Sequence, residues 1–320
     1  MFSRRVLLSR LGLLAAGGAA LWLVRDRIPW PPPRTVFDAE PSTPWIPLPR
    51  DARLIEIEGR AAGHPVRIVV DSGAQFSAID RTLAQALELP QAATLPMLAY
   101  GVSGQPSLTH TVRFDLALEG LAVQGMRAAV LDIAGLAAAT GREFHMLLGR
   151  DVLRELVLEA DFPRDRVRFH RPEAYRPPPD ARPVALKLVG GAPMTPVSVE
   201  GSAPVDVLVD TGASGVLALS TEAARSAGLL APGRRVDSAH SVSLGGISLD
   251  QLVRAETVEA AGLTLRGVDV QIYAPSAKGA IPPGLLGSGL FRRYRMALDL
   301  DGGRLFLIPA AASLVREPRP

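Results

Sequence analysis

Two aspartates sit in near-identical surroundings 139 residues apart. Asp71 lies in VVDSGAQ, residues 69–75, and Asp210 in LVDTGAS, residues 208–214. Each ends an apolar run that reads as a strand, and each is followed by a hydroxyl, a glycine and an alanine. One carboxylate at the end of a strand has little chemistry of its own. Two carboxylates face to face cannot both ionise cheaply, so they share one proton and titrate as a pair. The ionised member then serves as general base toward a water molecule, and the protonated member as general acid toward a carbonyl oxygen. Such a pair hydrolyses an amide with no metal and no covalent intermediate. Gly73 and Gly212 let the backbone turn tightly and bring bare N–H groups to the carboxylates. The hydroxyls of Ser72 and Thr211 both donate and accept, so each can tie its loop to the other. Ala74 and Ala213 complete the two loops.

The elements around the acids repeat as well. HPVRIVVDSGA (64–74) aligns with APVDVLVDTGA (203–213), and IEIEG (55–59) with VSVEG (197–201). Thr82 and Thr221 each open a helix-like stretch at the same offset of 139. Further on, MLLGRD (146–151) aligns with GLLGSG (284–289) at an offset of 138, which holds through Asp161 and Asp299 and through Arg166 and Arg304. The chain therefore reads as a tandem duplication with one net deletion between the acid and the later glycine. A pseudo-twofold axis between the copies would set Asp71 against Asp210. Asp161 and Asp299 are expected to cap hairpin turns.

Composition narrows the alternatives. A chain of 320 residues that is 48% hydrophobic is long enough for two ordinary cores. Its 30 glycines and 28 prolines favour short strands joined by turns. The absence of cysteine excludes disulfides, thiol nucleophiles and thiolate metal sites. A formal charge of +3, with basic residues dispersed and no interleaved aromatics, gives no nucleic-acid footprint. The histidines at 64, 110, 145, 170 and 240 form no metal-spaced pair and are expected on the surface or in loops. No Gly-x-Ser-x-Gly elbow and no Gly-Lys-Ser/Thr phosphate loop is present.

Residues 1–30 read as a targeting segment, with Arg4 and Arg5 ahead of the apolar run Leu11–Val24. SRRVLL resembles a twin-arginine export signal. A cleaved signal peptide and an uncleaved anchor both fit, and this segment is the expected route to any membrane contact. A Pro-rich linker is expected over 31–47, a first half over 48–172, a second Pro-rich linker over 173–183, a second half over 184–310 and a tail over 311–320.

The duplicated DSGA and DTGA motifs, with LLGRD (147–151) and the weaker LLGSG (285–289), resemble the retropepsin-like aspartic proteases. The resemblance implies an all-β fold with a few short helices. Two homologous retropepsin-like β-barrel halves would form a pseudo-twofold single-chain dimer. It implies Asp71 and Asp210 as the catalytic pair, a peptide or protein substrate, no cofactor and activity as a monomer. It implies an aspartic endopeptidase, for which the N-terminal segment adds the expectation of export to the cell envelope or periplasm or of a membrane anchor. A non-catalytic peptide-binding module of the same fold, or a structural envelope protein, stands as the alternative. A flap is expected in each half, at YGVSGQ with Tyr100, Gly101 and Gly104, and at SLGGIS with Gly245 and Gly246. Arg150 occupies a position where the family often carries arginine, and an acid partner is implied for it. Ser288, its counterpart, breaks the symmetry.

Overall fold

The computed structural model describes residues 31–50, 53–92, 97–100, 106–140, 142–243, 246–273, 282–292 and 294–309. The chain divides into Met1–Pro32 and Pro33–Pro320, and the described strands and helices belong to the second unit. The targeting segment at 1–30 and the tail from 310 lie outside the described residues. Among the described residues no helix is long and apolar enough to cross a membrane.

The first half contributes β1 (Arg34–Phe37), β2 (Ile46–Pro47), β3 (Glu56–Ala61), β4 (His64–Val70), β5 (Ala78–Asp80), helix α1 (Arg81–Ala86), β6 (Met97–Tyr100), β7 (Pro106–Thr109), β8 (Thr111–Leu118) and β9 (Leu121–Leu131). Helix α2 (Ile133–Thr140), β10 (Met146–Leu148), α3 (Arg150–Leu153), β11 (Val157–Asp161) and β12 (Arg166–His170) follow. The second half has β13 (Arg182–Ala185), β14 (Lys187–Val189), β15 (Ala192–Val199), β16 (Val205–Asp210), β17 (Leu217–Ser220), α4 (Thr221–Ser226), β18 (Val236–Ser243) and β19 (Gly246–Ala260). It ends with β20 (Leu263–Tyr273), β21 (Gly284–Gly287), α5 (Ser288–Phe291), β22 (Tyr294–Asp299) and β23 (Arg304–Pro309).

Each half closes a ring of the same strand order. In the first the order is β9-β5-β10-β4-β3-β8, closed by pairing of β8 with β9. In the second it is β20-β17-β21-β16-β15-β19, closed by pairing of β19 with β20. Closure follows from patterning. Strand β8 alternates buried and exposed residues over most of its length, so one face fills the ring and the other meets solvent. Strand β4 begins in the same way and ends in three buried residues, Ile68 to Val70, where it runs parallel to β10 and is covered on both faces.

A third sheet, β13-β23-β22-β11-β12-β2, joins the halves. At its centre β11 and β22 pair antiparallel, with Glu159 opposite Ala297. Those two positions are also repeat equivalents at the offset of 138, so the pseudo-twofold axis passes through this pair. Leu158, Ala160, Met296 and Leu298 on one face of the sheet join a core shared by both halves.

Three expectations change here. The segment 31–47, expected as a Pro-rich linker, contributes β1, paired to β9, and β2, paired to β12. Proline lies at the strand end Pro47 on an outer edge, where its missing N–H costs no ladder bond. The segment 173–183 is likewise not a free spacer. Tyr175 packs at 4.9 Å from the His170 ring and 5.9 Å from Phe306, and β13 begins at Arg182. His170 is buried, against the surface position expected of it; its Nε2 meets Glu159 at 2.8 Å and its Nδ1 meets the Ser42 hydroxyl at 2.7 Å.

Candidate active site

Strand β4 delivers Asp71 immediately past its last residue, and β16 delivers Asp210 as its last residue. Each is flanked by a parallel strand from the Leu-Leu-Gly segment. The Asp71 N–H donates to the Leu148 carbonyl at 2.9 Å, and Asp210 stands in register with Gly287. A Cβ on Gly149 would lie 2.6 Å from the Phe76 carbonyl carbon, and one on Gly287 would lie 2.4 Å from the Gly215 oxygen. Glycine is therefore required where these strands pass beneath the loops.

The two loops are cross-braced by their hydroxyls. The Ser72 N–H donates to Thr211 Oγ1 at 2.9 Å, and the Thr211 N–H donates to Ser72 Oγ at 3.0 Å. Each hydroxyl in turn donates to the strand leading to the other acid, Ser72 to the Val209 carbonyl at 2.8 Å and Thr211 to the Val70 carbonyl at 2.7 Å. Both side chains are fully buried, so these bonds are shielded from water. Thr211→Val keeps the shape but orphans the Ser72 N–H and the Val70 carbonyl. It is expected to cost about 2 to 4 kcal/mol in urea denaturation. A loss below about 0.5 kcal/mol would show that the loops associate without their hydroxyls.

The bracing sets the acids against one another. A Cβ on Gly73 would fall 2.5 Å from the Asp210 carboxyl carbon, and one on Gly212 would fall 2.5 Å from that of Asp71. Each glycine thus makes room for the acid of the opposite half. The two carboxyls are close enough that each shifts the proton affinity of the other. Burial raises the affinity of Asp71 for a proton, and the N–H groups of Ala74 and Gly73 oppose that rise. Burial and the facing charge of Asp71 push Asp210 well above the usual carboxylate range. Both acids are thus drawn toward their protonated forms, and the pull is the stronger at Asp210. Asp210 is buried, whereas Asp71 is partly open to solvent.

The loops are supported unequally. Asp71 Oδ1 accepts from the N–H groups of Gly73 at 2.8 Å and Ala74 at 2.9 Å, whereas Asp210 Oδ1 accepts from Gly212 at 2.8 Å. The Ala213 N–H turns instead to the Asp210 main-chain carbonyl, at 3.2 Å. Arg150, implied to pair with an acid, donates from Nη1 to the carbonyls of Ser72 at 2.9 Å and Gly73 at 2.8 Å. The backbone there presents carbonyls to α3, which corrects the implied ion pair. Ser288 donates to the Thr211 carbonyl at 2.9 Å. Sequence reasoning assigned no role to Ser77 or Asp151. Asp151 Oδ1 accepts from both the N–H and the hydroxyl of Ser77, at 2.9 and 2.8 Å, and so pins the first loop to α3. The adjacency of Asp151 to Arg150 in LLGRD was the available signal.

The flap expectations fall at hairpin ends. Tyr100 pairs with Pro106 at the end of the β6–β7 hairpin, and Gly246 pairs with Ser243 at the end of β18–β19. Gly101, Gly104 and Gly245 lie outside the described residues. Asp299 caps its turn as expected, accepting from the Gly302 N–H at 2.9 Å. Asp161 instead holds Arg164 and Arg166 at 3.1 and 3.0 Å.

Two like rings that bring paired acid loops together have the retropepsin-like architecture expected from the sequence. Two segments, residues 57–152 and 195–290, match the aspartyl protease family and together cover more than half of the chain. The chain belongs to that family. No curated protein matches it.

Proposed function

We propose that this protein is an aspartic endopeptidase in which Asp71 is the general base and Asp210 the general acid. The observation that carries the reading is the close opposition of the two acid loops, in which each glycine leaves room for the carboxyl of the other half, held by crossed hydroxyl bonds, with Asp71 partly open to solvent. A binding module gains nothing from two buried acids set against one another, whose proton affinities burial raises. In the first step the oxygen of a water molecule adds to the peptide carbonyl carbon. Its proton passes to Asp71, and the proton of Asp210 passes to the carbonyl oxygen, giving a neutral gem-diol. In the second, the proton on Asp71 moves to the amide nitrogen as the C–N bond breaks, and a diol proton returns to Asp210. Both acids lie on one chain, so a monomer is sufficient.

Purified full-length protein incubated with a random peptide library is expected to give internal cleavage at acid to neutral pH, read by mass spectrometry. No cleavage anywhere in that range would remove the reading. Export is part of the proposal and rests on Arg4, Arg5 and the apolar run Leu11–Val24. Fractionation of the native host is expected to recover the protein outside the cytoplasm or in the membrane. Recovery from the cytosol alone would overturn that part.

A further inference from the structure

We propose that Arg150 is a positioning residue that sets the polarity of the acid pair, holding Asp71 as its ionised member through two intervening peptide groups. The inference rests on reading Asp71 and Asp210 as a proton-sharing pair. The geometry is specific. The carbonyl of Ser72 and the N–H of Gly73 belong to one peptide unit. The carbonyl of Gly73 and the N–H of Ala74 belong to the next. Arg150 Nη1 donates to both carbonyls, and both N–H groups donate to Asp71 Oδ1. A cation thus bonds the negative end of each peptide dipole, and the carboxylate bonds the positive end of each. Such chains polarise cooperatively, and hydrogen bonds with an ionised partner are about twice as strong as neutral ones.

The second half lacks this device. Ser288, at the position equivalent to Arg150, sends a neutral hydroxyl to one carbonyl, that of Thr211, whose peptide unit delivers the single N–H of Gly212 to Asp210. Two charge-assisted relays on one side face one neutral relay on the other. Burial strengthens the contrast, because Arg150 is 6% exposed and its Nε has no hydrogen-bond partner among the described residues. The charged groups acting on it are Asp71, Arg154, Asp210 and Asp151, from the ends of β4 and β16 and from α3 with the residue after it. Its charge favours the ionised form of both acids, but the peptide relays reach only Asp71.

A fold-supporting role alone would change stability and leave the proton where it is, so the test follows the proton. The full-length protein is labelled with ¹³C at the aspartate carboxyl carbons and titrated by NMR. Assignments come from Asp71→Asn and Asp210→Asn. In the unmodified protein Asp71 is expected to ionise first, and ionisation of Asp210 first would overturn the proposal without any variant at Arg150. Arg150→Gln keeps a neutral donor toward the carbonyls and is expected to move the first ionisation of the pair, and the acid limb of kcat/KM, upward by about one pH unit. Arg150→Lys retains the charge and is expected to restore most of the original position. An Arg150→Gln protein that is folded and unshifted would also overturn the proposal. Should the protein cleave no peptide, the proposed activity fails, yet the NMR titration still decides the polarity of the pair.

Discussion

Replacing Asp210 by asparagine is expected to lower kcat/KM for any cleaved peptide by about three to four orders of magnitude, and Asp71→Asn by a similar factor. Asparagine keeps the shape of each side chain, so the crossed bonds between Ser72 and Thr211 remain. In the proposed mechanism Asp71→Asn removes the base that takes a proton from water. Asp210→Asn removes the acid that protonates the carbonyl oxygen. The pH profile expected of the unmodified protein follows from the same pair. Activity rises as the first proton leaves and Asp71 becomes a base, and it falls when the second leaves and Asp210 ceases to be an acid. Burial and the facing charge hold the Asp210 proton well above the usual carboxylate range, so the falling limb is displaced toward neutral pH.

A stability difference of definite sign accompanies this. An acid whose folded-state pKa is raised stabilises the fold below its unfolded pKa, and that stabilisation is lost as pH rises through the folded value. Asp210→Asn does not titrate. The variant is therefore expected to lose less stability than the unmodified protein between acid and neutral pH. Urea denaturation across that range measures it. Cleavage at the unmodified rate in either asparagine variant would take the pair out of the chemistry.

The second large effect lies at the seam between the halves. Glu159 is fully buried at the centre of the joining sheet, opposite Ala297. Its carboxylate accepts from Arg168 Nε at 2.7 Å, His170 Nε2 at 2.8 Å and the Arg295 guanidinium. Trp45 lies against this cluster, with the Arg166 and Arg168 guanidiniums 4.2 and 4.3 Å from its ring centroid. Burial alone would raise the Glu159 pKa. The hydrogen bonds from His170 and Arg168 and the charges of Arg168 and Arg295 outweigh it and bring the value down to about 2.

Glu159→Ala leaves these cations without their anion and is expected to cost about 3 to 5 kcal/mol. In a protein of this size that corresponds to a fall in Tm of roughly 5 to 8 °C. The pH dependence has the opposite sign to that of the dyad. A depressed carboxyl contributes stability above its unfolded pKa and loses it as pH falls through the folded value. Between the ordinary value of 4.5 and about 2, the unmodified protein is expected to lose about 3 kcal/mol that the alanine variant never had. Equal stability of the two proteins at neutral pH would show that the cluster does not hold the seam. The proposed acid-pair chemistry gains from this arrangement, because the joint between the halves stays intact in mild acid.

Much of the framework was legible in the amino-acid sequence, because it rests on local patterns. Apolar runs ending in acid, hydroxyl and glycine specify a strand and a tight turn. Repeating them at an offset of 139 specifies two like halves. The loop after each motif was less legible. Ala78 pairs with Leu147, and Ala218 pairs with Leu285, so the equivalent strands stand 140 residues apart where the motifs stand 139 apart. The helix caps agree, being Asp80 and Ser220 rather than residues matched through Thr82 and Thr221. An extra residue in a loop leaves no mark in a weakly patterned stretch, and only the ladder register reveals it.

The sequence by itself determined that two acids exist, that each ends a strand, and that their loops carry the hydroxyls and glycines a close approach requires. Those properties depend on residue type and near-neighbour spacing, which are local. Only the tertiary structure decided that the two loops interlock, that Arg150 grips carbonyls rather than an acid, and that Asp71 accepts two N–H bonds where Asp210 accepts one. Those outcomes depend on burial and on the direction of peptide dipoles across contacts up to 141 residues apart in the chain, and neither is encoded in any short stretch of it.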